Sequence, residues 1–214
     1  AFEHHGVLNS GILKVSDVVS ASVDKNRRKR IARNHSATHL LHAALRTVLG
    51  ETVTQKGSLV DGDKLRFDFS HDEVISKADI DKIEGMVNRK ILGNTIVHTD
   101  VTDIKTAKKN GAMALFGEKY GNTVRVLTMG KDDFSVELCG GTHVNQLGDI
   151  GLFRITSEGG IAAGVRRIEA MSGYDAYQFD KQTEDSLSEI AQMTKSNNAQ
   201  AVEKVAQLIK QQKE

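Results

Sequence analysis

The sequence predicts an α+β fold: a small β-rich N-terminal subdomain, a mixed antiparallel sheet with helices, and a helical tail. Three observations carry this. Apolar residues alternate with period two in several short runs, most clearly Leu-Arg-Phe-Asp-Phe at 65–69. They recur at helical spacing in 34–49 and again in 76–92, through Ile80, Ile83, Val87 and Ile91. From Asp175 the chain turns rich in Gln, Lys, Glu and Ala, with apolar residues at helical spacing.

In chain order, Val15, Val18, Val19 and Val23 sit among Gly6, Gly11 and Ser/Asp turn residues, which predicts short strands before residue 24. A basic run follows as a linker at 25–33. Residues 34–49 form an amphipathic helix, with Asn34 as N-cap and Gly50 just past its end. After the strand at 65–69 and the helix at 76–92, residues 123–129 and 134–138 are paired strands separated by Gly130. Residues 150–155 and 164–171 are two more, divided by a loop with Gly159, Gly160 and Gly164. The tail breaks in two at Asn197 and Asn198.

Composition excludes several classes. No run approaches the apolar length of a membrane helix. Cys139 is the single cysteine, so there is no internal disulfide, and a reducing cytoplasm is the natural setting. The first residue is Ala1 rather than Met, which suggests a fragment of a longer chain. A net charge of +1 does not announce a nucleic-acid binder. Its distribution says more. Arg27, Arg28 and Arg30 lie in the run at 25–33, and Arg166 and Arg167 form a second pair, both able to track a phosphate backbone.

The chemistry lies on the first helix. At about 100° per residue, His35, His39, His42 and Arg46 share one face, opposite Ala37, Leu40, Leu41, Ala44 and Leu45. The apolar side is core, so the histidines face a cavity or solvent. His35 and His39 are four apart, which lets two imidazoles reach one metal. Cys139-Gly140-Gly141-Thr142-His143 follows a strand whose residues Ser135, Glu137 and Cys139 share one face. It supplies a second pair, and three histidines with one cysteine complete a tetrahedral set for zinc. Glu137 is a candidate hydrogen-bond acceptor behind a ligand. His42 and His71 receive no ligand role, and His42 reads as a surface histidine before it reads as a group behind a ligand.

Asn-His-Ser-Ala-Thr-His-Leu-Leu-His at 34–42 and Cys-Gly-Gly-Thr-His at 139–143 resemble the editing domain of alanyl-tRNA synthetases. Threonyl-tRNA synthetases and freestanding editing proteins share that domain type. Further motifs favour the alanine enzyme: Gln-Lys-Gly-Ser-Leu-Val at 55–60, Arg-Phe-Asp-Phe-Ser-His at 66–71, Gly-Ala-Met-Ala-Leu-Phe-Gly-Glu-Lys-Tyr-Gly at 111–121, and Gly-Val-Arg-Arg-Ile-Glu-Ala at 164–170. The resemblance runs from about residue 2 to residue 173. It divides the chain into a β-rich subdomain with basic linker at 1–33, a zinc-containing editing domain at 34–174, and a helical tail at 175–214 that leads to the family's C-terminal dimerisation region.

The resemblance implies that His35, His39, Cys139 and His143 bind zinc, and that Thr38 and Gln55 belong to the editing pocket. The reaction implied is hydrolysis of seryl and glycyl esters from the acceptor end of tRNA(Ala), within a parent enzyme that ligates alanine. The ATP-binding aminoacylation domain has no counterpart here. A pocket built for alanine cannot exclude glycine and rejects serine only about 10²-fold, so a second site of inverted preference is needed. Four protein ligands close a tetrahedral zinc, so a zinc that takes part directly needs a displaced ligand or an expanded shell. Two other readings share these residues: a freestanding deacylase acting in trans, and a non-catalytic zinc domain that only binds tRNA.

Overall fold

The computed structural model describes residues 3–114 and 121–213. Leu115 to Tyr120, within the motif at 111–121, lie outside the described residues, as do Ala1, Phe2 and Glu214. The α+β class holds, built on two antiparallel sheets.

Helix α1 spans Lys25–Leu49 and starts nine residues before the predicted boundary. Its cap is Asp24, whose carboxylate accepts from the backbone N–H groups of Asn26 and Arg27 at 2.8 and 2.9 Å. The basic run is therefore the opening of the helix and not a linker. Asn34 is no cap: it lies buried within α1. Its amide donates to the carbonyls of Asp61 and Gly62 at 3.0 and 3.3 Å and accepts from the Ser172 hydroxyl at 2.7 Å. Gly50 ends the helix at φ 107°.

The first sheet joins β1 (Gln55–Val60), β2 (Leu65–Ser70), β7 (Val165–Ser172) and β6 (Phe153–Ala162), in the order β1-β2-β7-β6. Every neighbour is antiparallel. Alternation sorts its faces: Leu65, Phe67 and Phe69 point inward with Ile168 and Ala170. Leu40, Leu41 and Leu45 of α1 join them in one buried cluster, with Ile83, Val87 and Ile91 of α2 (Lys77–Leu92). A second sheet, β3-β4-β5, comprises His98–Asp103, Thr123–Met129 and Ser135–Leu138. The short helix α3 (Ile104–Lys109) packs there through Ala107. Val136 and Leu138 serve that smaller core, whereas Phe134 precedes the strand in a helical turn and packs on the main core.

The predicted N-terminal strands are not formed. Residues 3–24 contain no strand, and Val7, Val15 and Val18 are exposed. β propensity yields a strand only where a neighbour takes up the backbone hydrogen bonds, and no described residue does so here. Strand β6 also runs further than predicted, through Gly159 and Gly160, leaving Ala163 and Gly164 to turn into β7. The tail is two helices, α4 (Tyr174–Met193) and α5 (Ala201–Lys213), and the break between them contains Asn197 and Asn198.

Asn34 thus ties α1 to the β1–β2 turn and to the end of β7. Asn34→Ala strands two carbonyls and a hydroxyl away from water, at a cost of about 1–3 kcal/mol. Urea unfolding is expected to show that loss with an unchanged slope. Wild-type stability would mean that the three groups find other partners.

Candidate metal centre

Helix α1 presents His35 and His39 one turn apart, with ring centroids 5.1 Å from each other. The opposite side of the helix, from Ala37 to Leu45, is sealed in the core, which fixes the rotation of the histidine face. The second pair arrives from the end of β5. The Cys139 amide donates to the Arg125 carbonyl at 3.0 Å, and the Arg125 guanidinium donates to the Gly141 carbonyl at 2.8 Å. These two bonds bend the chain so that His143 returns beside Cys139. Glycine is required at 141 because a Cβ there would overlap the His35 ring.

The four predicted residues converge. Ligand atoms of His35, His39, Cys139 and His143 all lie within 4.8 Å of one another. Cys139 Sγ is 3.6 Å from His35 Nε2 and 3.3 Å from His143 Nε2. A tetrahedral ion with metal–sulfur and metal–nitrogen bonds of about 2.3 and 2.0 Å sets such edges at about 3.5 Å. His39 Nε2 is buried without a hydrogen-bond partner among the described residues. A lone imidazole nitrogen beside a thiol and two further imidazoles is a donor set awaiting an acceptor of electron pairs. The group fits a tetrahedral metal ion.

The supporting contacts fix which nitrogens do what. Glu137 is buried between two imidazoles, with Oε2 2.6 Å from His39 Nδ1 and Oε1 2.9 Å from His42 Nδ1. A carboxylate only accepts, so both Nδ1 atoms carry protons and both Nε2 atoms keep their lone pairs when the rings are neutral. Burial alone would raise the Glu137 carboxyl, yet the facing imidazoles hold it down at about 2. Burial alone would lower His39, yet Glu137 holds it up at about 10, so a metal at Nε2 competes there with a proton. Burial also raises the Cys139 thiol, but His143, His35 and His39 bring it down to about 3, which favours the thiolate a metal needs. Burial and the neighbouring imidazoles of His35 and His39 push His143 down to about 4, against the pull of Cys139, and leave it neutral.

Sequence reasoning missed Ser36. Its hydroxyl lies 3.2 Å from His143 Nδ1 and accepts from the Val144 amide at 3.1 Å, orienting that ring. Its place beside His35 was the one signal available. The expected surface position of His42 is overturned: it is buried, because β5 and Phe67 cover this face of α1. Gln55, set by its neighbours in a polar stretch, begins strand β1.

Beside the four converging residues opens a cavity of about 430 Å³. Thr38, His42, Gln55, Ser58 and Phe67 form its remaining wall with Glu137 and the Gly140–Gly141 turn. The Thr38 hydroxyl donates to the Asn34 carbonyl at 2.8 Å, so only its lone pairs and its methyl group are available to the cavity.

The basic residues differ in exposure and pairing. Arg27 and Arg28 stay exposed on the first turn of α1. Arg30 pairs with Asp63 and Asp175 at 2.6 and 2.9 Å. Arg166 forks onto Glu158 at 2.5 and 3.0 Å, and Arg167 onto Asp68 at 2.7 and 2.8 Å. Both lie within β7, so Gly159–Arg167 forms a paired hairpin whose arginines are held by these carboxylates.

Residues 124–169 match the family described as the threonyl and alanyl tRNA synthetase second additional domain. Over the whole chain, the sequence is similar to alanine–tRNA ligases. It is 80% identical over 213 residues to that of Ruthia magnifica subsp. Calyptogena magnifica and 73% over 214 residues to that of Vesicomyosocius okutanii subsp. Calyptogena okutanii (strain HA). It is 54% identical to that of Pseudomonas entomophila (strain L48). The chain spans 24–25% of the length of these curated relatives.

The centre is expected to take up about one divalent metal ion per chain. Glu137→Gln replaces an acceptor for two N–H groups with an amide that serves one. Metal affinity, read by chelator competition, is expected to fall 10–100-fold. It is also expected to weaken in acid, as protons take the imidazole lone pairs. Equal affinity in both proteins would show that Glu137 does not orient His39.

Proposed function

We propose that this chain, similar over its whole length to a quarter of the alanine–tRNA ligases it matches, hydrolyses seryl and glycyl esters from the acceptor end of tRNA(Ala). The observation that carries this reading is the polar-walled cavity of about 430 Å³ beside the His35–His39–Cys139–His143 group, in a chain matched to the second additional domain. In the reaction, water adds to the ester carbonyl carbon. The bond to the terminal ribose oxygen then breaks, and that oxygen leaves with a proton. The products are a free amino acid and an uncharged tRNA.

We take the metal to be zinc, since three imidazoles and a thiolate are its usual donors. When bound, it supplies a Lewis acid beside the cavity. The chain's own residues do the rest. Glu137 and Ser36 hold the rings of His39 and His143 in fixed orientation. Gln55 brings amide donors and an acceptor to the wall. Thr38 narrows the space with its methyl group and admits a hydrogen bond only as an acceptor. A wall of this kind favours a ligand with a hydroxyl over one with a bare methyl.

The editing domain we propose ends at 174 and begins with α1 at Lys25, because a boundary at 34 would cut that helix, and the tail at 175–214 leads to a dimerisation region of the parent. The acceptor end of tRNA(Ala) is the partner, and the cytoplasm, where translation takes place, is the setting. Arg27 and Arg28 are the cations we assign to the nucleic-acid backbone.

The direct test is release of serine from Ser-tRNA(Ala) by purified protein. No cleavage beyond the spontaneous rate, with tRNA still bound, would leave a non-catalytic tRNA-binding domain. In Thr38→Gly the cavity widens, so kcat/KM for Ala-tRNA(Ala) is expected to rise relative to Ser-tRNA(Ala). An unmoved ratio, with metal content retained, would return Thr38 to the helix alone.

For the nucleic-acid contact, Arg27→Gln and Arg28→Gln are expected to flatten the dependence of log Kd on log salt. The change in slope is about 0.7–0.9 for each phosphate contact removed. A slope equal to that of wild type would make the first turn of α1 a solvated face.

A further inference from the structure

We propose that His42 Nε2 reads the substrate's side-chain hydroxyl, accepting its proton as a hydrogen bond and so selecting seryl over glycyl esters. The inference rests on the deacylase reading above and adds the residue that recognises serine.

His42 is buried to 4% exposure and lines the cavity, but is not among the four converging ligand residues. Its Nδ1 lies 2.9 Å from Glu137 Oε1, which commits one side of the ring. Nε2, on the other side, is buried and has no partner among the described residues. A buried polar atom without a partner calls for an explanation, and a ligand group in the adjoining cavity is one. The ring is backed by Phe67, with centroids 5.2 Å apart, so its orientation is held before any ligand arrives.

The chemistry of the wall selects the ligand group. Each Glu137 oxygen already faces an imidazole, which leaves His42 Nε2, outside the metal group, as an acceptor with no described partner. An α-ammonium brings three donors and a full charge, which one nitrogen lone pair cannot compensate. A hydroxyl brings one donor. The Thr38 oxygen is also an acceptor, but it is already engaged with the Asn34 carbonyl, whereas Nε2 is engaged with nothing described. A glycyl ester carries no such donor and leaves Nε2 unpaired.

The test compares kcat/KM for Ser-tRNA(Ala) and Gly-tRNA(Ala) in wild type, His42→Phe and His42→Gln, with metal content and melting temperature measured for each. In His42→Phe the serine-to-glycine ratio is expected to fall about tenfold, whatever loss the two substrates share. Glutamine keeps an N–H for Glu137 and a carbonyl for the ligand, so His42→Gln is expected to recover most of the ratio. Should His42→Phe fail to fold, His42→Ala with added imidazole carries the comparison, and imidazole is expected to restore the ratio. A ratio that stays at the wild-type value in His42→Phe, or is not restored by imidazole in His42→Ala, overturns the assignment. No cleavage of either ester by wild type overturns the deacylase reading, and this assignment with it.

Discussion

One buried carboxylate organises the centre. Glu137 sits on β5, and its two oxygens meet imidazoles from successive turns of α1, at positions 98 and 95 residues away in sequence. An ionised group at 1% exposure is tolerable only if its partners are complete. That requirement docks helix on strand in one register and one rotation. It brings Cys139, two residues further along the strand, to His35 and His143. It also decides which nitrogen of each ring is left without a hydrogen-bond partner among the described residues. The metal group and the polar wall beside it are two outcomes of the same pairing.

Much of this was legible because it is local. The apolar side of α1, the alternation of β2, the periodicity of α2 and the β4–β5 pair each follow from residues a few positions apart. Spacing within a helix and within a glycine turn likewise sets each of the pairs His35–His39 and Cys139–His143, whereas the meeting of the two pairs spans 104 residues and was read from the resemblance. What was not legible depends on partners remote in sequence. Asn34 has the chemistry of a cap and the position of a bolt, because Asp61, Gly62 and Ser172 reach it from elsewhere. Charge alone does not distinguish Arg28, which is exposed, from Arg166, which a strand neighbour has neutralised. β3 escaped because its residues are mostly exposed, and β1 because Gln-Lys-Gly-Ser-Leu-Val has no apolar alternation to mark a half-buried strand. The early valines carry strand propensity without a sheet to join.

The first sheet shows how polar groups share a structure with a dry core. Its inward side is aromatic and aliphatic where α1 covers it, through Phe67, Phe69 and Ile168. On the other side Lys64 reaches Glu169 at 2.7 Å, and Arg167 clamps Asp68. The sheet therefore holds its register by packing on one side and by ionic cross-strand pairs on the other. That rigidity carries over to the cavity wall, since Gln55 and Ser58 stand on the edge strand of the same sheet.

Helix α1 also acts as a ruler. Its 25 residues form an unbroken rod that carries Arg27 and Arg28 at one end and His35 and His39 further along. At about 1.5 Å per residue, the two groups are separated along the axis by roughly 10–18 Å. No hinge intervenes, and Asn34 anchors the rod between them. A nucleic-acid strand held at Arg27 and Arg28, as proposed, would therefore meet the cavity at a set distance and a set angle. One residue added between 28 and 34 would advance the grip by only about 1.5 Å, but would swing it by about 100°. Phase, more than length, is what the rod protects.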